Sequence, residues 1–287
     1  MIQSIDSNHL NWYELSEAEI RQFDDKGYII VRQALDRETV DRLIEVSDGL
    51  IASDRRENRH PRSHDALYDA FRNCIALDDA YIPLLTHQKM LSVVVQLLGA
   101  HLQLMTSHLI YKYPDPPGTY NLFWHRDYGG ASRVLGNGVP RIMLKCAYYL
   151  TDLSEPNSGA TLVAPGSNQL MEDIEIPDGE QNPPGFIEPS LQPGDCMVFE
   201  NRTWHTGSAN LSGRTRKCIM FGYGYRWVRP IDYRVQSEEL LNKLDTVGRY
   251  LVGEPAQDTP EYRSLGAEES PLAAWCDQHG APAVRPF

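Results

Sequence analysis

The period of the apolar positions changes near residue 100. Before it, apolar residues recur at helical spacing. Ser16 with Glu19 forms a capping box that opens S-E-A-E-I-R-Q-F-D-D-K-G, and Gly27 supplies the stop. The β-branched run at 28–31 predicts a short strand. Asp36 caps a second helix, on which Val40, Leu43, Ser47 and Leu50 share one face. Residues 53–65 are polar and read as a loop, and a third helix covers 87–98 with Gly99 at its end. After residue 100 the chain breaks into short strands at 102–112, 122–124, 142–150, 160–163, 196–200 and 217–223. Turns at Pro116-Pro117-Gly118, Pro165-Gly166 and Pro193-Gly194 punctuate them. Helices followed by many short strands predict a mainly β fold with flanking α-helices, built on a double-stranded β-helix (a jelly-roll or cupin-like core).

The expected organisation is a single domain over 1–287. A helical part covers about 15–100, the jelly-roll core about 102–230, and a C-terminal extension 231–287. That extension carries one helix at 237–244 and otherwise packs as loop. No internal repeat or low-complexity segment interrupts the chain.

Composition narrows the function classes. The chain has 287 residues, 41% of them hydrophobic, and a net charge of −12. So acidic a chain lacks the basic footprint that phosphate backbones or anionic lipid require. The sequence therefore predicts no nucleic-acid partner and no membrane, and leaves oligomeric state open. No apolar run approaches the ~20 residues of a membrane span, and the first residues lack the pattern of a secretory leader. The 5 cysteines are scattered and without CxxC spacing, which suits reduced thiols in a cytoplasmic protein.

Candidate chemistry begins at W-H-R-D-Y-G-G, residues 124–130. Positions i and i+2 of a strand point to one face, so His125 and Asp127 project together. A third ligand would complete the two-histidine, one-carboxylate facial triad of non-haem iron(II) oxygenases. His205, in V-F-E-N-R-T-W-H-T-G-S, is the natural third ligand. His108, within a strand candidate, is its rival. A lone HxD also arises in strands by chance. Eleven residues after His205 comes Arg216, at the start of the last strand candidate. A guanidinium there can grip a dicarboxylate bidentately, with Arg214 the runner-up. The plainer reading puts both in a solvated basic cluster with Lys217.

The residues resemble the phytanoyl-CoA dioxygenase family from about Leu15 to Pro230. The matches fall in order: K-G-Y-I-I-V-R-Q-A-L at 26–35, H-L-I-Y-K-Y-P-D at 108–115, H-R-D at 125–127, N-S-G-A-T-L-V-A-P-G-S-N at 157–168, P-G-D at 193–195 and W-H-T-G-S-A-N at 204–210. The resemblance implies Fe(II) held by His125, Asp127 and His205. It implies 2-oxoglutarate and O2 as co-substrates, with Arg216 on the C5 carboxylate of 2-oxoglutarate. His108 falls where the family lines the co-substrate, commonly with methionine. Tyr148 falls where it often places a tryptophan; a core aromatic is the alternative. Gly207 replaces a common serine. Related halogenases replace the carboxylate with a small residue, so Asp127 favours hydroxylation of a C–H bond in a small-molecule metabolite, with release of succinate and CO2. Arg126, Tyr128, Arg226 and Trp227 are the candidate substrate contacts. Arg55, Arg56, Arg59 and Arg62 form either a lid for an anionic group or a solvated charge run. Two further readings stay open: a cupin-type metal dioxygenase without 2-oxoglutarate, and a non-catalytic jelly-roll binding module.

Overall fold

The structure is a computed structural model that describes residues 12–128, 140–254 and 270–280. The N-terminal elements follow from their caps. Helix α1 (Glu17–Lys26) begins at the capping box, where Ser16 Oγ accepts from Glu19 N at 3.2 Å and Ser16 N donates to Glu19 Oε2 at 2.8 Å. Gly27 ends it in the left-handed region, at φ 78°. Strand β1 (Tyr28–Val31) follows directly, and helix α2 (Arg37–Glu57) starts at the Asp36 cap. Strand β2 (Tyr68–Arg72), the short helix α3 (Ile82–Leu85) and helix α4 (Gln88–Leu98) complete this part.

The rest is largely antiparallel sheet. Strands β1, β2, β3 (Leu102–Lys112), β4 (Met143–Tyr149), β6 (Cys196–Glu200) and β8 (Arg216–Tyr225) form six strands in the order β1-β6-β4-β8-β3-β2. A small second sheet pairs β5 (Thr161–Val163) with β7 (His205–Gly207). Isolated bridges widen it, Ile187 pairing with Val163 and His125 with His205. Among the described residues the large sheet does not close into a barrel.

Strand alternation divides the large sheet into two faces. Leu144, Cys146, Tyr148, Val198, Ile219 and Phe221 join a core with Val40 and Leu43 of α2 and Val93 of α4. Ala147, Tyr149, Met197, Phe199, Cys218 and Met220 form a separate cluster with Ala160 and Val163, facing the small sheet. The candidate chemistry lies on this second face.

Several predicted elements change. Residues 122–124 form no strand; His125 alone makes the bridge. Residues 53–57 are helical, because Asp54 is buried on the α2 face that also carries Val40, Leu43, Ser47 and Ile51. Among its described residues the tail holds three helices, α5 (Glu238–Leu241), α6 (Thr246–Leu251) and α7 (Pro271–Gln278). Leu240, Leu251 and Leu272 anchor them in the main core. Strand β2 was not predicted. No described helix is long and apolar enough to cross a membrane.

Candidate metal centre and anion site

His125 and His205 are joined by their backbones. His125 N donates to His205 O at 3.0 Å, and His205 N donates to His125 O at 2.8 Å. Such a pair points both side chains to one face of the ladder, and the ring centroids stand 4.4 Å apart. Each ring is then fixed from behind. His125 Nδ1 lies 2.9 Å from Phe123 O, and His205 Nδ1 lies 2.8 Å from Thr203 O. A carbonyl accepts only, so both Nδ1 atoms carry hydrogen and both Nε2 atoms present lone pairs. Burial pushes the His205 imidazole down to about 4, so it is neutral at ordinary pH, as a ligand must be.

Asp127 completes the group. Ligand atoms of His125, Asp127 and His205 all lie within 4.8 Å of one another. Asp127 Oδ1 accepts from Lys145 Nζ at 2.8 Å, while Oδ2 is buried without a hydrogen-bond partner. Burial alone would raise the Asp127 carboxyl; Lys145, His205 and His125 together hold it below its usual range. An enclosed, unpartnered carboxylate oxygen facing two imidazole lone pairs is a donor set that a divalent metal fits.

The second feature is a guanidinium. Arg216 is 4% exposed. Its Nε donates to Gly159 O at 2.9 Å, Nη1 is buried without a partner, and no carboxylate pairs with it among the described residues. A buried cation without a counter-ion is costly unless an anion completes it. Gly207 lies beside it: a Cβ there would stand 3.9 Å from Arg216 Nη2. Because Gly207 follows His205 by two in β7, the anion site and the triad share one face. Arg214, the runner-up, is exposed on the turn before β8.

His108 also faces inward, opposite Met220 of β8. Its Nε2 is buried and unpartnered. Burial, then Arg72, Lys145 and Arg216, push its imidazole well down. Tyr128, at φ 55°, has a buried hydroxyl without a partner. Burial, then Asp127 and Asp232, push that phenol up to about 12.

Four further candidates have the following surroundings. Tyr148 is not at the site: it lies on the helix-covered face, edge-on to Phe221, while Lys145 and Tyr149 occupy the inner face of β4. One step along a strand reverses the face. Arg126 holds its guanidinium over the Trp204 ring at 5.4 Å and donates to Asp173 at 3.4 Å. Arg226 is a tail clamp, donating to Tyr250 O and, at 3.0 Å, to Glu254 O. Trp227 is 63% exposed and stacks on Tyr225. Of the loop arginines, Arg55 donates to the buried Asp69 at 2.7 Å and Arg59 lies 3.1 Å from Glu57. Sequence reasoning missed Lys145; its place two residues before Ala147 on an otherwise apolar strand was the available signal.

Residues 23–218 match the phytanoyl-CoA dioxygenase family. The chain belongs to that family. An uncharacterized protein of Mycobacterium tuberculosis is 26% identical over 201 residues, covering 67% of this chain and 69% of that protein. Among solved structures, HygX from Streptomyces hygroscopicus with nickel and 2-oxoglutarate bound is similar at a TM-score of 0.61 and 16% identity, covering 79% of this family member and 94% of HygX. The epimerase SnoN, in complex with Fe3+, alpha ketoglutarate and nogalamycin RO, is similar at a TM-score of 0.57 and 20% identity, covering 73% and 83%. These likenesses establish the shared jelly-roll fold.

Proposed function

We propose that this protein is an Fe(II)- and 2-oxoglutarate-dependent dioxygenase that hydroxylates a C–H bond of a small-molecule metabolite. One observation carries the reading: a converged His125, Asp127 and His205 lie on the same inner face as a buried guanidinium that has no counter-ion among the described residues. Iron supplies the activation of O2 when bound, at the expected cost of one 2-oxoglutarate converted to succinate and CO2. The chain's own residues do the rest. His125 and His205 offer Nε2 while Phe123 O and Thr203 O hold their rings. Asp127 offers Oδ2. Arg216 takes the far carboxylate of 2-oxoglutarate through the unpartnered Nη1, and Gly207 leaves room for it. His108 Nε2 and the Tyr128 hydroxyl are polar contacts for whatever lies between.

Asp127 favours hydroxylation over halogenation, since no coordination position is vacated for halide. SnoN, an epimerase, marks the alternative outcome, inversion of a stereocentre in place of oxygen insertion. Anaerobic loading with Fe(II), addition of 2-oxoglutarate and O2, and quantitation of succinate test the reaction class. Iron-dependent succinate formation supports it; 2-oxoglutarate left intact with iron bound favours a cupin-type dioxygenase instead. A metabolite product heavier by one oxygen atom identifies hydroxylation.

A further inference from the structure

Among the described residues, the inner face also carries Lys145 beside the candidate ligands. Lys145 lies on β4 opposite Phe199 of β6 and Gly222 of β8. Its Nζ is 2.8 Å from Asp127 Oδ1 and 5.8 Å from the centroid of Phe199, whose ring lies 4.6 Å from that of His205. A Cβ on Gly222 would clash with Thr106 Cγ2 at 2.6 Å, while the Lys145 Cγ would lie at ordinary contact distance, 3.7 Å. The pair is largely enclosed, with side-chain exposures of 16% and 15%.

Two consequences follow for the metal centre. The first is geometric: with Oδ1 engaged by the ammonium, Asp127 presents Oδ2 alone, so it binds through one oxygen. The second concerns charge. Two neutral imidazoles, one carboxylate and one ammonium bring no net charge to the site. A divalent ion there keeps its full charge, and whatever fills the open positions must balance it. A triad without the lysine would already offset one unit. The ammonium repels the metal and attracts an anion, and in this enclosed setting both interactions are strong.

We propose that Lys145 is a positioning residue that holds Asp127 to one-oxygen ligation and biases the metal centre toward a dianionic co-substrate while loosening its grip on the bare metal. This rests on the reading of His125, Asp127 and His205 as metal ligands. A packing role would weaken metal and anion binding together; a charge-setting role shifts them in opposite directions.

The test is anaerobic titration of the full chain with Co(II), followed by 2-oxoglutarate on the Co(II)-loaded protein, with Kd as the readout. In Lys145→Met, Co(II) binds about tenfold tighter and 2-oxoglutarate about tenfold weaker, a modest share of the interaction between a monocation and a dication a few ångströms apart. Lys145→Arg keeps both values within about threefold of the parent, since the charge is retained. Lys145→Gln keeps a donor to Oδ1 without the charge and repeats the opposed shifts. Loss of both affinities together in a folded variant overturns the proposal, as do unchanged affinities. Failure of both neutral variants to fold makes Lys145 a structural strut and overturns it too. A parent protein that binds no Co(II) overturns the ligand assignment itself, and the proposal with it.

Discussion

A Cβ on Gly207 would stand 3.9 Å from Nη2 of Arg216, so the last residue of β7 sets the space beside the buried guanidinium. His205 precedes Gly207 by two on the same strand, and one short element thus spaces a metal ligand from an anion site.

Gly207→Ser is therefore tolerated, because its Cβ would be at ordinary contact distance and its hydroxyl can bond the bound anion. Gly207→Leu fills the space in front of the guanidinium. We expect its 2-oxoglutarate Kd to rise at least about tenfold, a loss of about 1.4 kcal/mol, with Co(II) affinity unchanged by anaerobic calorimetry. Equal 2-oxoglutarate affinity in the leucine variant contradicts the placement.

Arg216 makes opposite predictions for binding and stability. Arg216→Met should cost about 2–5 kcal/mol of 2-oxoglutarate binding, the usual effect of removing one member of a buried charge pair. The apo variant should nonetheless melt no lower than the parent, since an uncompensated buried charge has been removed. Thermal scans with and without 2-oxoglutarate on the Co(II)-loaded protein check both statements. Stabilisation by 2-oxoglutarate disappears in the variant.

Arg226 is bound into the tail. Its donors hold Tyr250 O and Glu254 O, and its guanidinium lies 4.1 Å from the centroid of the Tyr250 ring. Arg226→Ala should cost about 2–3 kcal/mol of stability, as expected for charged hydrogen bonds, and expose the tail to limited proteolysis. Metal and 2-oxoglutarate affinities should not change.

Acid sensitivity centres on Asp54. Burial alone would raise its carboxyl, but hydrogen bonds from His60 and His64 hold it down to about 2. Its folded value lies below its unfolded one, so its contribution is fully present above about pH 4. It is lost as pH falls from there through about 2. Urea midpoints across that window should drop more steeply in the parent than in Asp54→Asn. Parallel slopes would remove Asp54 from the account.

What could be read in advance follows from the range of the signals. Caps are local, so Ser16, Gly27 and Asp36 marked their helices correctly. The bridge between His125 and His205 is not local; it joins distant parts of the chain, and the apolar run at 122–124 suggested a strand that tertiary pairing does not extend. Tyr148 shows the sharper limit. Tyr148 and Tyr149 are adjacent aromatics on a strand buried on both faces, so neither apolarity nor period says which one faces the site. Arg126 and Arg226 illustrate a related point. Proximity in sequence to a ligand or a strand end does not fix where a long side chain goes, and each found partners elsewhere. Asp54 was read as part of a polar loop because its burial depends on His60 and His64 folding back over it.

The central claim is that three side chains and one guanidinium form a single site. Anaerobic titration of the parent with Fe(II) and then 2-oxoglutarate, followed by visible absorption, tests it most directly. The account predicts one Fe(II) per chain, a weak charge-transfer band on adding 2-oxoglutarate, loss of metal binding in His205→Ala, and retained metal but a band requiring far more 2-oxoglutarate in Arg216→Met. Full Fe(II) binding by His205→Ala, or no band from the iron-loaded parent, would contradict it.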